Sequence, residues 1–236
     1  AYDISKKPRP TNVTATENGD GTVKVEWTAV PETEMEIEDG FESYTSWTTD
    51  TFGEWTAVIG ESTPEDAKTG RMFTGYPYPS EGQRFAFTLV DPLERWISQA
   101  ILNANPSLKP HGGSKYLASF YKYSADTPKL VYDADNWLIS PPLTGNKQTI
   151  SFWVSNNNTE EANYSETFDI LYSKEGTDIS KFVKIGDTRT VSNGAWEQVS
   201  EELPEGAIRF AIHQTTKKAT NFVMMLDDFT YEGGSG

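Results

Sequence analysis

Apolar and polar residues alternate along many short stretches of this chain, a pattern that indicates strands with one buried face. The clearest stretch starts at the acidic loop Asp133–Asp135 and continues through Trp137, Leu138 and Ile139. Pro141 and Pro142 end it, since proline offers no N–H to a strand ladder. We expect Trp137 and Ile139 on one face and Leu138 on the other. Further strands are predicted at 84–90, 115–120, 149–155, 167–173, 182–186, 195–200, 207–213 and 223–229.

The N-terminal segment has its own alternation. Val13 and Ala15, and after the turn 18–21 Val23, Val25 and Trp27, alternate with polar residues, so we predict a β-hairpin. This segment resembles the first two strands of a fibronectin type III domain. An acidic run follows, which divides the chain into a partial fibronectin-like segment (1–34), a main domain (35–232) and a linker (233–236). We expect the hairpin to dock on the main domain, because an uncovered apolar hairpin promotes aggregation. The alternative is that it belongs to a module that was truncated or interrupted.

One helix is predicted after the strand at 84–90. Asp91 is a good N-cap, Pro92 suits the first helical position, and Glu94 completes a capping box. The apolar residues that follow helical spacing are Leu93, Trp96, Ile97, Ala100 and Ile101. Many short strands with one helix predict an all-β fold: a jelly-roll β-sandwich with one short helix and an N-terminal β-hairpin.

The amino-acid composition argues against several classes of partner and of chemical site. The formal net charge of −15 argues against nucleic acid and anionic membranes as partners. There is no cysteine, which excludes disulfides, zinc–thiolate sites and thiol nucleophiles. No stretch approaches the ~18 apolar residues of a membrane helix, so we expect no membrane insertion.

Carboxylates near the two ends of the main domain indicate a calcium site. Glu42 lies on its first predicted strand and Asp228 on the last, and these strands can be neighbours in a jelly roll. With Asp39, they offer the oxygen ligands that Ca²⁺ prefers. Asp227 should point to the opposite face from Asp228. The alternative is that these are solvated carboxylates at a sheet edge.

Two other acidic or histidine-containing segments do not define a site. Asp133–Asn136 begins like an EF-hand loop but lacks its glycine and final glutamate, so that motif is excluded. His111–Ser114 is read as a turn, and the chain has two histidines and no Gly-x-Ser-x-Gly motif. We therefore predict no catalytic residues and no enzymatic activity.

Aromatic residues in loops are candidates for stacking on sugars. The loop 60–84 is rich in glycine and proline, which is typical of functional loops. The predicted ligand-binding residues are Tyr76, Tyr78, Trp47 and Trp55. The alternative is that the tyrosines pack over an open end of the sandwich, and Trp137 and the other strand tryptophans are interpreted as core.

An ordered set of motifs resembles the cleaved-adhesin family of Bacteroidetes, which includes the adhesin modules of gingipain proteases. The set comprises Gly40–Glu42, Arg84–Phe87, His111–Ser119, Asp135–Pro141, Trp196, Leu203–Ala211 and Leu226–Phe229. The resemblance implies a jelly roll with bound calcium in a larger secreted or surface protein, and adhesion without catalysis.

The function predicted from these observations is a non-catalytic, calcium-stabilised adhesion or carbohydrate-binding module. Its expected partners are a host glycan or an extracellular-matrix protein, together with other domains of the same polypeptide. Its expected location is secreted or on the cell surface, associated with the outer membrane. Two alternatives remain open: an accessory domain of a secreted protease or glycosidase, and a structural spacer.

Overall fold

The structure is a computed structural model that describes residues 11–28, 35–127, 129–158 and 163–234. The described residues form sixteen strands, one α-helix, α1 (Gln99–Ala104), and two short 3-10 helices. The strands are β1 (Thr11–Glu17), β2 (Val23–Thr28), β3 (Met35–Asp39), β4 (Thr51–Phe52), β5 (Trp55–Ile59), β6 (Ala67–Thr69), β7 (Thr88–Val90), β8 (Tyr116–Phe120), β9 (Lys122–Ser124), β10 (Asn136–Ile139), β11 (Gln148–Asn156), β12 (Glu166–Ser173), β13 (Val183–Val191), β14 (Glu197–Leu203), β15 (Arg209–Gln214) and β16 (Val223–Gly233). The 3-10 helices are Pro106–Leu108 and Ile179–Lys181.

Two six-stranded antiparallel sheets carry the fold. The first has the order β13-β12-β15-β10-β5-β4, and the second has the order β14-β11-β16-β8-β7 with β3 also paired to β16. The pairing of β3 with β16 confirms that the first and last strands of the main domain are neighbours. The prediction of an all-β jelly-roll sandwich is therefore confirmed.

The main core contains side chains from both sheets, as strand alternation predicts. In β10, Leu138 joins this core, whereas Trp137 and Ile139 join a separate cluster on the other face. The largest fully buried aromatic side chains of the main core are Phe41, Phe52, Trp55, Phe87, Phe152, Phe168, Phe210 and Phe229. The alternation expected for Trp137, Leu138 and Ile139 is thus confirmed.

The helix begins later than the sequence predicts. Asp91 accepts hydrogen bonds from the N–H groups of Leu93 and Glu94, but this turn stops at Arg95, whose φ is +60°. A positive φ is incompatible with a right-handed helix. The N-cap of α1 is Ser98, which accepts from the N–H of Ile101 at 3.3 Å.

The strand predicted at 84–90 is also shorter, since β7 contains only its last three residues. The carboxylate of Asp50 accepts the N–H groups of Ala86 and Phe87 at 2.8 and 3.1 Å. A side chain therefore takes the place of a neighbouring strand there, and the buried backbone groups remain paired.

The N-terminal hairpin forms as predicted from β1 and β2. Docking of its apolar face is not observed, since the Trp27 side chain is 57% exposed. The linker between the hairpin and β3 lies outside the described residues. Within the described part of the chain, no helix has the length and apolar character that a membrane span requires.

Candidate functional site

Of the four aromatic residues predicted to bind ligand, three are buried. Tyr78 stacks between Trp47 and Phe120, with ring centroids 5.9 and 4.4 Å away, and its hydroxyl donates to the carbonyl of Gly70. The Trp47 indole donates to the carbonyl of Glu94 at 2.7 Å. These two rings therefore form part of the hydrophobic cluster beneath α1 and present no face to a ligand.

Trp55 is fully buried in the main core between the sheets. Its indole N–H donates to Asp39 at 2.8 Å, so it is a structural residue and the prediction that it binds ligand is wrong. Tyr76 differs from the other three because 45% of it is exposed. The packing that covers the other rings comes from residues distant in sequence, which loop composition does not reveal.

The predicted metal ligands lie close together, but they make different contacts. We call Glu42, Asp227, Asp228 and the loop His111–Ser114 the acidic junction. Asp228 in β16 contacts Nδ1 of His111 at 2.6 Å. A Cβ added at Gly40 or Gly112 would lie 2.6 Å from a carboxylate oxygen of Asp228. These glycines therefore allow the backbone to approach the carboxylate closely.

Asp227 also belongs to this junction, contrary to the expectation that it points away. The pairing of β16 with β11 shifts between Asp227 and Thr230, and Asp228 has a φ of +46°. Such a β-bulge places an extra residue in one strand and breaks the alternation of faces. Asp227 accepts the N–H groups of His111 and Gly112 at 3.0 and 3.2 Å.

The pKa of the Asp227 carboxyl is shifted from its ordinary value. Burial, and next the charge of the adjacent Asp228, raises the pKa of Asp227 to about 8. The carboxyl groups of Asp227 and Asp228 thus lie close together in β16.

Glu42 and Asp39 hold the surrounding backbone. Glu42 lies in a turn after β3 and not on the strand predicted for it, because the positive φ of Phe41, +61°, ends the extended backbone. It accepts the N–H groups of Ser114 and Lys115, both at 2.9 Å. Asp39 is turned toward the core, where it accepts from Tyr44 and Trp55. Among the described residues, no three His, Asp or Glu side chains are grouped as a preformed metal site.

A second site lies at the ends of β10 and β15, in a cleft of about 620 Å³. We call it the Asp135 cleft. It is lined by Ser62, Pro64, Leu130 to Asp135, His213, Thr215, Lys217 and Lys218. The acidic stretch before Trp137 was singled out in the sequence, but nothing in it indicated that Ser62 and His213 would join it.

Asp135 is held by several donors. It contacts Nε2 of His213 at 2.7 Å and accepts from the Ser62 hydroxyl at 2.5 Å and the Trp137 indole at 3.1 Å. The His213 hydrogen bond is the largest cause that holds the pKa of Asp135 below its usual range. The His213 ring stacks on Trp137 with centroids 3.8 Å apart. These contacts fix both polar side chains in orientation.

Charged groups of both signs complete the cleft. Asp133 accepts from the N–H of Lys218 at 2.8 Å and pairs with the Lys217 ammonium at 3.1 Å. The Tyr132 hydroxyl donates to Asp66 at 2.9 Å. The cleft thus combines hydrogen-bond donors and acceptors with an apolar lining from Leu130 and Pro64.

The family model described as "Cleaved Adhesin Domain" matches residues 94–231, more than half of the chain. The chain belongs to the cleaved adhesin domain family. The matched segment contains His111, Asp135, His213 and Asp228, so it includes parts of both the Asp135 cleft and the acidic junction. No curated protein sequence matches this cleaved adhesin domain.

Solved structures show the same fold. The K2 cleaved adhesin domain of Lys-gingipain is 17% identical, with a TM-score of 0.55 over 84% of this chain and 99% of that domain. The K1 domain of Lys-gingipain from Porphyromonas gingivalis W83 is 16% identical, with a TM-score of 0.55 over 85% and 99%. A xylan-binding domain from carbohydrate-binding module family 22 is 18% identical over 87% and 98%, but its TM-score of 0.41 is too low to bear on function.

Proposed function

We propose that this cleaved adhesin domain is a non-catalytic adhesion module that binds carbohydrate through the Asp135 cleft. The observation that carries the proposal is the arrangement of fixed polar groups around Asp135 and His213. In the tautomer that donates Nε2–H to Asp135, the His213 ring has Nδ1 as an acceptor for a hydroxyl. The Lys217 ammonium and the carboxylate of Asp133 supply a donor and acceptors, which match the hydroxyl groups of a sugar.

A second part of the proposal is that calcium stabilises the fold at the acidic junction. Its donors are carboxylate oxygens, the ligands that calcium prefers. Asp227 and Asp228 are adjacent acidic groups that lie against glycine backbone, and burial and the charge of Asp228 raise the pKa of Asp227, so a bound cation would stabilise the charged form of both carboxylates. The proposal retains Glu42 and Asp228 as ligands. It replaces Asp39, whose carboxylate is turned toward the core by Tyr44 and the buried Trp55, with Asp227, whose carboxylate lies beside that of Asp228 near Gly40.

Membership in the cleaved adhesin domain family supports a location outside the cell. We propose that the chain is part of a secreted or cell-surface protein of the bacterial outer membrane, with a host glycan as its partner. Tyr76, whose ring is exposed, is proposed as a secondary contact for a longer glycan.

The test is a glycan array followed by titration of the strongest ligand. Lys217→Ala should weaken binding by at least about tenfold, because a charged hydrogen bond contributes about 1.5 to 3 kcal/mol. Lys147→Ala is the matched control, since Lys147 also forms an exposed ion pair, with Glu202 at 2.9 Å. Tyr76→Ala should weaken binding by less than Lys217→Ala.

The outcome can also refute the proposal. Equal binding by the Lys217→Ala and Lys147→Ala variants would remove the Asp135 cleft as the site. An array without glycan ligands, together with saturable binding to a purified matrix protein, would replace the glycan with a protein ligand.

A further inference from the structure

The N-terminal hairpin has one apolar and one polar face. Ala15 is the cross-strand partner of Val25, so both lie on the same side of the hairpin. Val23 and Trp27, two residues on either side of Val25, share that side. Lys24 and Glu26 alternate with them and form an exposed ion pair at 2.7 Å. The hairpin therefore has the pattern of a strand pair with one side in a core.

That core is missing around the described hairpin. Val13, Val23, Val25 and Trp27 are 60%, 56%, 48% and 57% exposed. Isolated two-stranded hairpins are marginally stable, and exposed apolar patches usually mark an interaction surface. The apolar face thus requires a partner.

The jelly roll itself indicates where that partner comes from. Its first and last strands, β3 and β16, pair antiparallel, with Met35 directly opposite Gly233. The polypeptide therefore leaves the jelly roll beside the point where it enters. Adjacent entry and exit points are the geometry that allows one domain to be inserted into another.

The short connection between β2 and β3 limits how far the hairpin can lie from the start of β3. Seven residue steps separate Thr28 from Met35, and a fully extended chain covers at most about 3.5 Å per step, so this tether reaches about 25 Å. The end of β2 is consequently held within that distance of Met35, and a segment that continues from β16 starts beside Met35.

We propose that the jelly roll is an insertion within a second β-domain of the same polypeptide. The β1–β2 hairpin is the first part of that domain, and the sheet that covers its apolar face is supplied by the polypeptide after it leaves β16. The covering surface is an apolar sheet face, because β-sheets pack through their apolar sides about 10 Å apart.

The test compares hydrogen exchange in chain 1–236 with exchange in the full-length polypeptide that contains it. The amides of β2 should exchange at least about tenfold more slowly in the full-length protein, because a hairpin packed in a core opens less often. The amides of β10 and β15 should exchange at equal rates in both. Equal exchange of β2 in both proteins would overturn the proposal.

Two variants separate the remaining explanations. In the full-length protein, Trp27→Ala should remove the protection of β2, whereas Leu93→Ala, at a residue 49% exposed, should leave it unchanged. If β2 in chain 1–236 becomes protected with rising protein concentration, and Trp27→Lys abolishes this, the partner is a second copy and the insertion proposal is wrong.

Discussion

The two histidines of the chain occupy nearly the same local structure in two different places. At the acidic junction, His111 stacks on Trp153 with centroids 3.8 Å apart and contacts Asp228 at 2.6 Å. At the Asp135 cleft, His213 stacks on Trp137 with the same 3.8 Å separation and contacts Asp135 at 2.7 Å. The two rings differ locally in the nitrogen that contacts the carboxylate, which is Nδ1 in His111 and Nε2 in His213.

The surroundings of the two carboxylates also differ. Asp135 is held by Ser62 and Trp137 in addition to His213. Asp228 instead adjoins Asp227, whose pKa is raised by burial and by the charge of Asp228. At the Asp135 cleft, the histidine–tryptophan–aspartate arrangement thus belongs to a site in which the carboxylate has several hydrogen-bond donors. At the acidic junction, it borders the carboxyl of Asp227, whose charged form is disfavoured by burial and by Asp228, and a bound cation would favour that charged form.

The largest expected effect that distinguishes the sites is the response to calcium. Saturating calcium should raise the free energy of unfolding, by about 2.7 kcal/mol when free ion is 100-fold above its dissociation constant. EDTA should reverse the gain in a thermal melt. Asp228→Ala should abolish the response, because it removes a proposed ligand.

Asp187→Ala is the matched control, since Asp187 is an exposed carboxylate in β13, away from both sites. It should keep the full response to calcium. A melting temperature that is indifferent to calcium and EDTA in the unmodified protein would contradict the calcium proposal and leave the cleft proposal intact.

A smaller effect is expected at the Asp135 cleft, and it depends on pH. The pKa of Asp135 is lower in the folded protein than its ordinary value of 3.8. Folding therefore favours the ionised form, and the stability that this provides is present above about pH 4 and lost as pH falls below it. Asp135→Asn should cost about 1 to 3 kcal/mol at pH 7 in a denaturant titration and reduce the acid sensitivity.

Asp133→Asn provides the comparison within the same cleft. Its ion pair with Lys217 is exposed, and such pairs contribute about 0 to 1 kcal/mol. Equal losses in the Asp133 and Asp135 variants would show that the buried contacts of Asp135 have no special importance.

The sequence predicted those features that depend on local alternation. The opposite directions of Trp137 and Leu138 follow from the two-residue period of a strand, and the pairing of β3 with β16 follows from jelly-roll topology. The position of Asp227 was not predictable in this way. Its direction depends on a β-bulge, which is set by the pairing of β16 with β11.

The binding residues were harder to predict because burial depends on distant packing. Tyr78 and Trp47 lie in segments whose composition is typical of exposed loops, yet Phe120 and the residues around α1 cover both rings. The Asp135 cleft combines residues from separate parts of the chain, among them Ser62 and His213. Of these residues, only the acidic stretch Asp133–Asp135 was recognised in the sequence as a candidate.

The central claim is that these two sites take different ligands, and the imidazole NMR signals of the two histidines test it directly. The chain has two histidines, one at each site, so each ring reports on its own surroundings. Calcium should shift the His111 signals and leave those of His213 unchanged. The strongest glycan from the array should shift His213 alone. A glycan that shifts His111, or calcium that shifts His213 and not His111, would contradict the account.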